Sequence, residues 1–325
     1  NKTKLDKNIT NISGINNDLL ILITNKEEIH SIGSSIQKYM DPITKRPIVG
    51  IIKISKDIKY NTKNAEQFIK IVILHQMTQI LGFLYKSIQY FPGSEGNWIL
   101  HRTQGDIESR NKRDRYYVQM PGIKQLAQEY YNCSNNSILP GLELEDQEDA
   151  NQKPNHWESR ILLGEYMTRG LYVSEQVISE FTLKFLELTG WYKVNYYTGG
   201  LMRFGKKKGC AFLEKECDEV ENSKNEISTF VNNEIKPCCS SGRQSRAYYI
   251  NGKVVTFGDE EIFNKFEGYG GYKYADYCMI FTHYYKDDKE DDSNLYYEGN
   301  CKIGNYSEYG YIDKNFYIKY KNKDL

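Results

Sequence analysis

A histidine at 75 is followed by glutamines at 76 and 79 in the run "IVILHQMTQILGF", residues 71–83. On a helix, residues four apart share one face, so His75 and Gln79 point into the same space. Two histidines at that spacing, with a glutamate beside the first, form H-E-x-x-H, which carries two ligands for one zinc and a general base on one helix. A third ligand arrives from elsewhere, and the fourth position is left to water, whose pKa falls to about 7. The carboxylate takes that water's proton as it attacks a carbonyl. Here Gln76 stands at the base position and Gln79 at the second ligand position. An amide is not basic, and its neutral oxygen is a poor zinc ligand beside imidazole. A single His75 on an apolar helix is also what an ordinary core histidine looks like.

The other parts of such a site are present. Gly82 lies seven residues after His75, where a helix of this kind ends so that the chain can turn towards a third ligand. His156 opens "HWESRILLGEYMT", and Met167 follows it. A histidine followed by a methionine turn beneath the metal is the metzincin arrangement. Glu158 and Glu165 are the carboxylates near His156 that could replace a lost base, and Glu165 fits a structural role better. His30, His101 and His283 have no ligand spacing to one another.

Elements must hold these residues in place. "DLLILIT" (18–24) and "RPIVGIIKIS" (46–55) are short β-branched runs bounded by turn residues, and read as strands. "HSIGSSIQKYM" between them reads as a helix or a loop. "NAEQFIKIVILHQMTQILGF" reads as a helix with Asn64 as N-cap, Gln67 completing a capping box, and Gly82 as its stop. Residues 83–155 form a long insertion: "SEGNWILHRTQGDIESRNKRDRYYV" reads as loop with room for strand pieces, followed by a short helix from Pro121 and an acidic solvated loop "GLELEDQEDANQKPN". "SEQVISEFTLKFLELTGWY" reads as a helix capped by Ser174 and stopped near Gly190, and "KKKGCAFLEKEC" as short strands and loops.

Composition bounds the rest. The 325 residues carry 43 basic and 43 acidic side chains, so net charge gives no argument for nucleic acid or an anionic membrane. Hydrophobic residues at 39% suit a globular chain, and no apolar run is long enough to span a bilayer. The chain starts at Asn1 without a signal-peptide pattern, so a processed start is expected. Of seven cysteines, Cys133 stands alone while Cys210, Cys217, Cys238, Cys239, Cys278 and Cys301 cluster late, without a C-x-x-C pair. That clustering points to a bridged carboxy-terminal region in an oxidising compartment. Sequons at Asn1, Asn8, Asn11, Asn132, Asn135 and Asn305 fit a secreted glycoprotein.

In order and spacing, "RPIVGIIKI", "HQMTQILGF", "HWESRILLGEYMT", "TGWYKVNY", "GCAFLEKEC" and "YADYC" resemble leishmanolysin, a family of surface metalloproteases with a long insertion before the third histidine. The resemblance covers most of the chain. It implies an α+β, metzincin-like zincin fold with a disulfide-bonded carboxy-terminal region. Residues 1–82 would be the subdomain with the active-site helix, 83–155 the insertion, and 156–325 the Met-turn and cysteine-containing subdomain. It places the zinc at His75, Gln79 and His156, the base at Gln76 and the Met-turn at Met167, and supports a Cys210–Cys217 bridge. With base and one ligand changed, the expectation is an inactive pseudoprotease acting as a structural, adhesion or binding subunit. The alternative is a zinc metalloendopeptidase with altered base and ligand residues. No cofactor is expected, except zinc if the altered site still binds it. A protein partner or larger assembly and an extracellular, surface or secretory-lumen location complete the expectation.

Overall fold

The β-branched runs pair as expected: β1 (Leu20–Lys26) lies parallel to β3 (Pro47–Ser55) in a computed structural model of the chain. The structure describes residues 17–26, 33–56, 65–93, 97–103, 114–146, 153–169 and 176–214, with short pieces at 237–239, 246–249, 273–275 and 281–283. Asn64, Ser174, Cys217 and most of the Tyr-rich carboxy-terminal region lie outside the described residues, as does the side chain of Gln67.

The stretch expected as helix or loop is instead a strand. β2 (Gly33–Met40) pairs antiparallel with β3, giving the sheet order β1-β3-β2. The reason is long-range: β3 offers a ladder to a half-buried segment whose own sequence has no strong period. The helix α1 (Ala65–Leu81) packs on this sheet through Ile80 against Ile52 and Ile54. Gly50 permits the close approach, since a Cβ there would stand 2.6 Å from two side-chain carbons of Ile80.

α1 stops where expected. Gly82 has φ +140°, a region that glycine enters without a Cβ penalty. The Gly82 N–H donates to Gln79 O at 3.2 Å and the Phe83 N–H to Thr78 O at 3.1 Å, a Schellman closure. Gln37 of β2 adds to this closure, donating to Ile80 O at 2.9 Å and to the already engaged Gln79 O at 3.3 Å, and accepts from the Ser87 hydroxyl.

Beyond Gly82 the chain builds a second core. Strands β4 (Ile99–Arg102), β5 (Arg115–Val118) and β6 (Leu142–Leu144) form an antiparallel sheet. The helix α2 (Pro121–Tyr131) starts at the expected proline and ends on Asn132 in the left-handed conformation. Side chains from 83–155, among them Phe83, Val118, Ile123 and Leu142, share one cluster with Trp157, Met167, Phe181 and Phe212 from beyond it. Phe83 lies edge-on to Trp157 at 4.9 Å and close to Phe185 at 4.7 Å, so the exit of α1 is packed into that cluster.

Three expectations here are corrected. The acidic "GLELED" is not a solvated loop: it contains β6, and Glu143 and Glu145 are buried, with Arg115 Nε 3.7 Å from Glu143. The helix α3 (Glu180–Leu188) is capped by Ser179, whose Oγ accepts from Thr182 N, so it starts later than a Ser174 cap implies. "GCAFLE" is the short helix α4 (Cys210–Glu214), not strand or loop.

The Cys210–Cys217 bridge is corrected too. Cys210 pairs with Cys133, 77 residues earlier, with Cα atoms 4.9 Å apart. One sulfur forms one disulfide, so Cys217 is excluded as its partner. The end of α2 and the start of α4 meet because Tyr131 and Phe212 pack together in the core. Three further short strands, β7 (Pro237–Cys239), β8 (Arg246–Tyr249) and β9 (Phe281–His283), pair antiparallel in that order.

Candidate functional site

Val72, His75, Gln76, Gln79 and Ile80 recur at helical spacing and are buried along one face of α1. The apolar members of that face seat the helix. The polar members therefore come to lie where α1, β2 and the segment after residue 153 converge.

His156 reaches this place through backbone pairing. The Trp157 N–H donates to Met167 O at 3.0 Å, and Trp157 forms a parallel bridge with Thr168. The segment bearing His156 thus lies beside the segment bearing Met167. Tyr166 then fixes both to α1. Its carbonyl oxygen is 2.7 Å from His75 Nδ1, and its hydroxyl is 2.8 Å from Thr78 Oγ1. Burial pushes the Tyr166 hydroxyl above its ordinary pKa, helped by the Glu165 charge, so it stays a donor. Met167 is wholly buried below.

The structure brings His75, Gln79 and His156 together. Their imidazole rings are 5.1 Å apart between centroids. Gln79 Nε2 lies 3.3 Å from His75 Nε2 and 3.3 Å from His156 Nε2. Gln79 Oε1 points the other way and accepts from the Ser35 hydroxyl of β2 at 2.7 Å. Sequence reasoning missed Ser35, Thr78 and Tyr166. Ser35 sits in a polar strand with no local signal, and Thr78 had only its helical spacing to His75 to mark it.

Gln76 is on the same face and buried beside Gly33, its Cγ 3.4 Å from where a Cβ of that glycine would stand. Its Oε1 is buried and meets no hydrogen-bond donor among the described residues.

The nearby carboxylates are committed elsewhere. Glu165 is fully buried, and its oxygens accept from Met167 N, Ser179 N, Ser179 Oγ and Thr182 Oγ1. Burial pushes its pKa up to about 7 against the pull of those donors. Glu158 accepts the Arg160 N–H at 2.8 Å and stands with Glu143 and Asp146, their carboxylate oxygens within 4.8 Å of one another. The site is therefore built of two imidazoles and two amides, with hydrogen-bonding capacity and, among the described side chains of α1, no ionised oxygen.

The family model for leishmanolysin matches residues 7–295. The leishmanolysin-like peptidase of Caenorhabditis elegans is 27% identical over 224 residues, covering 60% of this chain and 33% of that protein. The leishmanolysin-like peptidase of Drosophila melanogaster is 40% identical over 90 residues, 28% of this chain and 13% of that protein. Leishmanolysin of Leishmania chagasi is 27% identical over 205 residues, 61% of this chain and 31% of that protein. At its widest among these three, the match spans about a third of the relative's length. With a family match across most of its residues and a histidine pair set over a buried methionine segment, the chain belongs to the leishmanolysin family.

Proposed function

We propose that this chain is a catalytically inactive homologue of a zinc metalloendopeptidase, acting as a structural, adhesion or binding subunit. The observation that carries the reading is Gln76. It is a buried, neutral amide at the position that the family resemblance gives to the base, and Glu165 and Glu158 are held by other donors. Loss of a positioned base removes about 10²–10⁴-fold of rate. A neutral second ligand position lowers metal occupancy on top of that.

The chain's frame on this reading is a metzincin-like zincin fold with residues 83–155 as the insertion. Its location on the same reading is extracellular, surface or secretory-lumen, which the Cys133–Cys210 bridge supports. No helix among the described residues is long and apolar enough to cross a membrane. The protein would work through its surface within a larger assembly.

The test is cleavage of unstructured peptides by the native chain and by the double variant Gln76→Glu, Gln79→His. The native chain is expected to leave the peptides intact, and any activity is expected from the double variant. Cleavage by the native chain that Gln76→Ala abolishes would overturn the reading.

A further inference from the structure

We infer that the place a zinc ion would occupy in this family is taken by the side-chain amide of Gln79, which joins α1, β2 and the His156 segment as a hydrogen-bonded bridge. The inference deepens the reading of the chain as an inactive homologue and rests on it.

Hydrogen-bond polarity sets the amide's orientation. The Tyr166 carbonyl can only accept, so His75 Nδ1, 2.7 Å away, carries its proton. A neutral imidazole with Nδ1 protonated offers only a lone pair at Nε2. The atom of Gln79 facing it must then be a donor, which is the amide nitrogen 3.3 Å away. The same NH2 group has a second hydrogen for His156 Nε2, also at 3.3 Å, which leaves the His156 proton on Nδ1. The amide oxygen is then free to accept from Ser35 Oγ at 2.7 Å. Each polar atom in the chain Ser35–Gln79–His75–Tyr166 has a partner of the right kind.

This arrangement does not fit zinc. The lone pairs that would bind the metal are both engaged by N–H groups. The only atom of Gln79 able to ligate, its oxygen, is turned towards β2. The amide nitrogen stands roughly 1.2 Å farther from each imidazole than a zinc–nitrogen bond of about 2.1 Å. Loading the metal would break the two hydrogen bonds to the imidazoles and recruit two protein ligands where three are needed. Ser35 is therefore a positioning residue: it holds the amide with its nitrogen inward.

The experiment uses the full chain in four forms: native, Gln79→His, Ser35→Ala, and Ser35→Thr as the conservative control. Zinc is supplied and removed by dialysis, and metal content is read by elemental analysis and the thermal midpoint with and without chelator. Side-chain 15N spectra report which ring nitrogen of His75 and His156 carries hydrogen. The native chain is expected to hold substoichiometric zinc, to keep its midpoint in chelator, and to show both rings protonated at Nδ1. Gln79→His is expected to retain about one zinc per chain and to become chelator-sensitive. Ser35→Ala is expected to lower the midpoint by about 2 °C, with Ser35→Thr restoring it. A tightly held zinc in the native chain, or His75 protonated at Nε2, would overturn the bridge. Zinc without peptide cleavage would sink the bridge and leave the inactive reading standing, whereas cleavage by the zinc-free native chain would do the reverse.

Discussion

The Thr182 hydroxyl donates to Glu165 Oε1 across 2.6 Å, and the same Thr182 oxygen accepts the Trp157 indole N–H at 2.9 Å. Trp157 follows His156 in the chain, so the Thr182 hydroxyl ties the histidine segment to α3 and passes the connection on to the Glu165 carboxylate. Ser179, the N-cap of α3, donates to the same Oε1, and the Met167 N–H donates to Oε2. Glu165 thus holds the methionine segment, the start of α3 and the tryptophan together from inside the core.

That burial gives a pH dependence with a fixed sign. Glu165 is raised from 4.5 to about 7, chiefly by desolvation, so folding favours its protonated form. The stability it contributes is fully present below about 4.5 and is lost as pH rises through about 7. The whole span is worth roughly 3 kcal/mol. Urea unfolding from pH 4.5 to 8 would show the decline, and Glu165→Gln is expected to flatten it even if the variant is less stable throughout. A native profile with no fall across this range would contradict the assignment.

The Cys133–Cys210 bridge closes a loop with a sequence separation of 77. In the chain-entropy model a loop of that size stabilises by about 4.5 kcal/mol. Non-reducing peptide mapping is expected to recover the peptides of Cys133 and Cys210 cross-linked, and Cys133→Ser to lower the urea midpoint strongly. A Cys210–Cys217 peptide in the native digest would refute the pairing.

Arg115 and Glu143 are paired at 3.7 Å with both side chains 6% exposed. Removing the guanidinium leaves Glu143 near Asp146 and Glu158 without that partner. Arg115→Met is expected to cost about 3–5 kcal/mol, and the double change Arg115→Met, Glu143→Leu to recover much of it. A single variant within experimental error of the native stability would show that the pair carries no weight.

Gly50→Ala is expected to cost about 1–3 kcal/mol by pushing Ile80, and α1 with it, away from β3. The new methyl would meet Ile80 Cδ1 and Cγ2 at 2.6 Å. Ile80→Ala in the same chain is expected to relieve the clash, so the two changes should be strongly non-additive in a double-mutant cycle. Additive losses would mean that the contact is not the limiting one.

What could be read from sequence divides by range. β1, β3 and α1 carry their patterns within themselves: β-branched runs for the strands, and an apolar run closed by Gly82 for the helix. The adjacency of His75, Gln79 and His156 was legible as well, since the first two sit four apart and the third opens a recognisable segment. β2 was not, because Ser34, Ser35, Gln37 and Lys38 give no clean alternation and only pairing with β3 makes them a strand. "GLELED" looked solvated because its burial depends on Arg115, far back in the chain. Ser174 and Ser179 are both followed by glutamate, and the true cap is chosen by Glu165, which no local rule contains. Ser35 and Tyr166 entered the site unannounced for the same reason: each reaches α1 through a contact that exists only after folding.

The Cys133–Cys210 bond also makes the chain a covalent ring between those positions. Glu165, Met167, His156 and all of α3 lie inside it. A protease that cut the backbone once anywhere from 134 to 209 would release no fragment. The severed ends would stay tethered and, with the buried contacts of Trp157 and Phe181 still in place, could remain seated. Such a nicked protein would run as one band until reduced. A chain shown by a reducing gel to be in two pieces can therefore still be a single folded body in an oxidising environment.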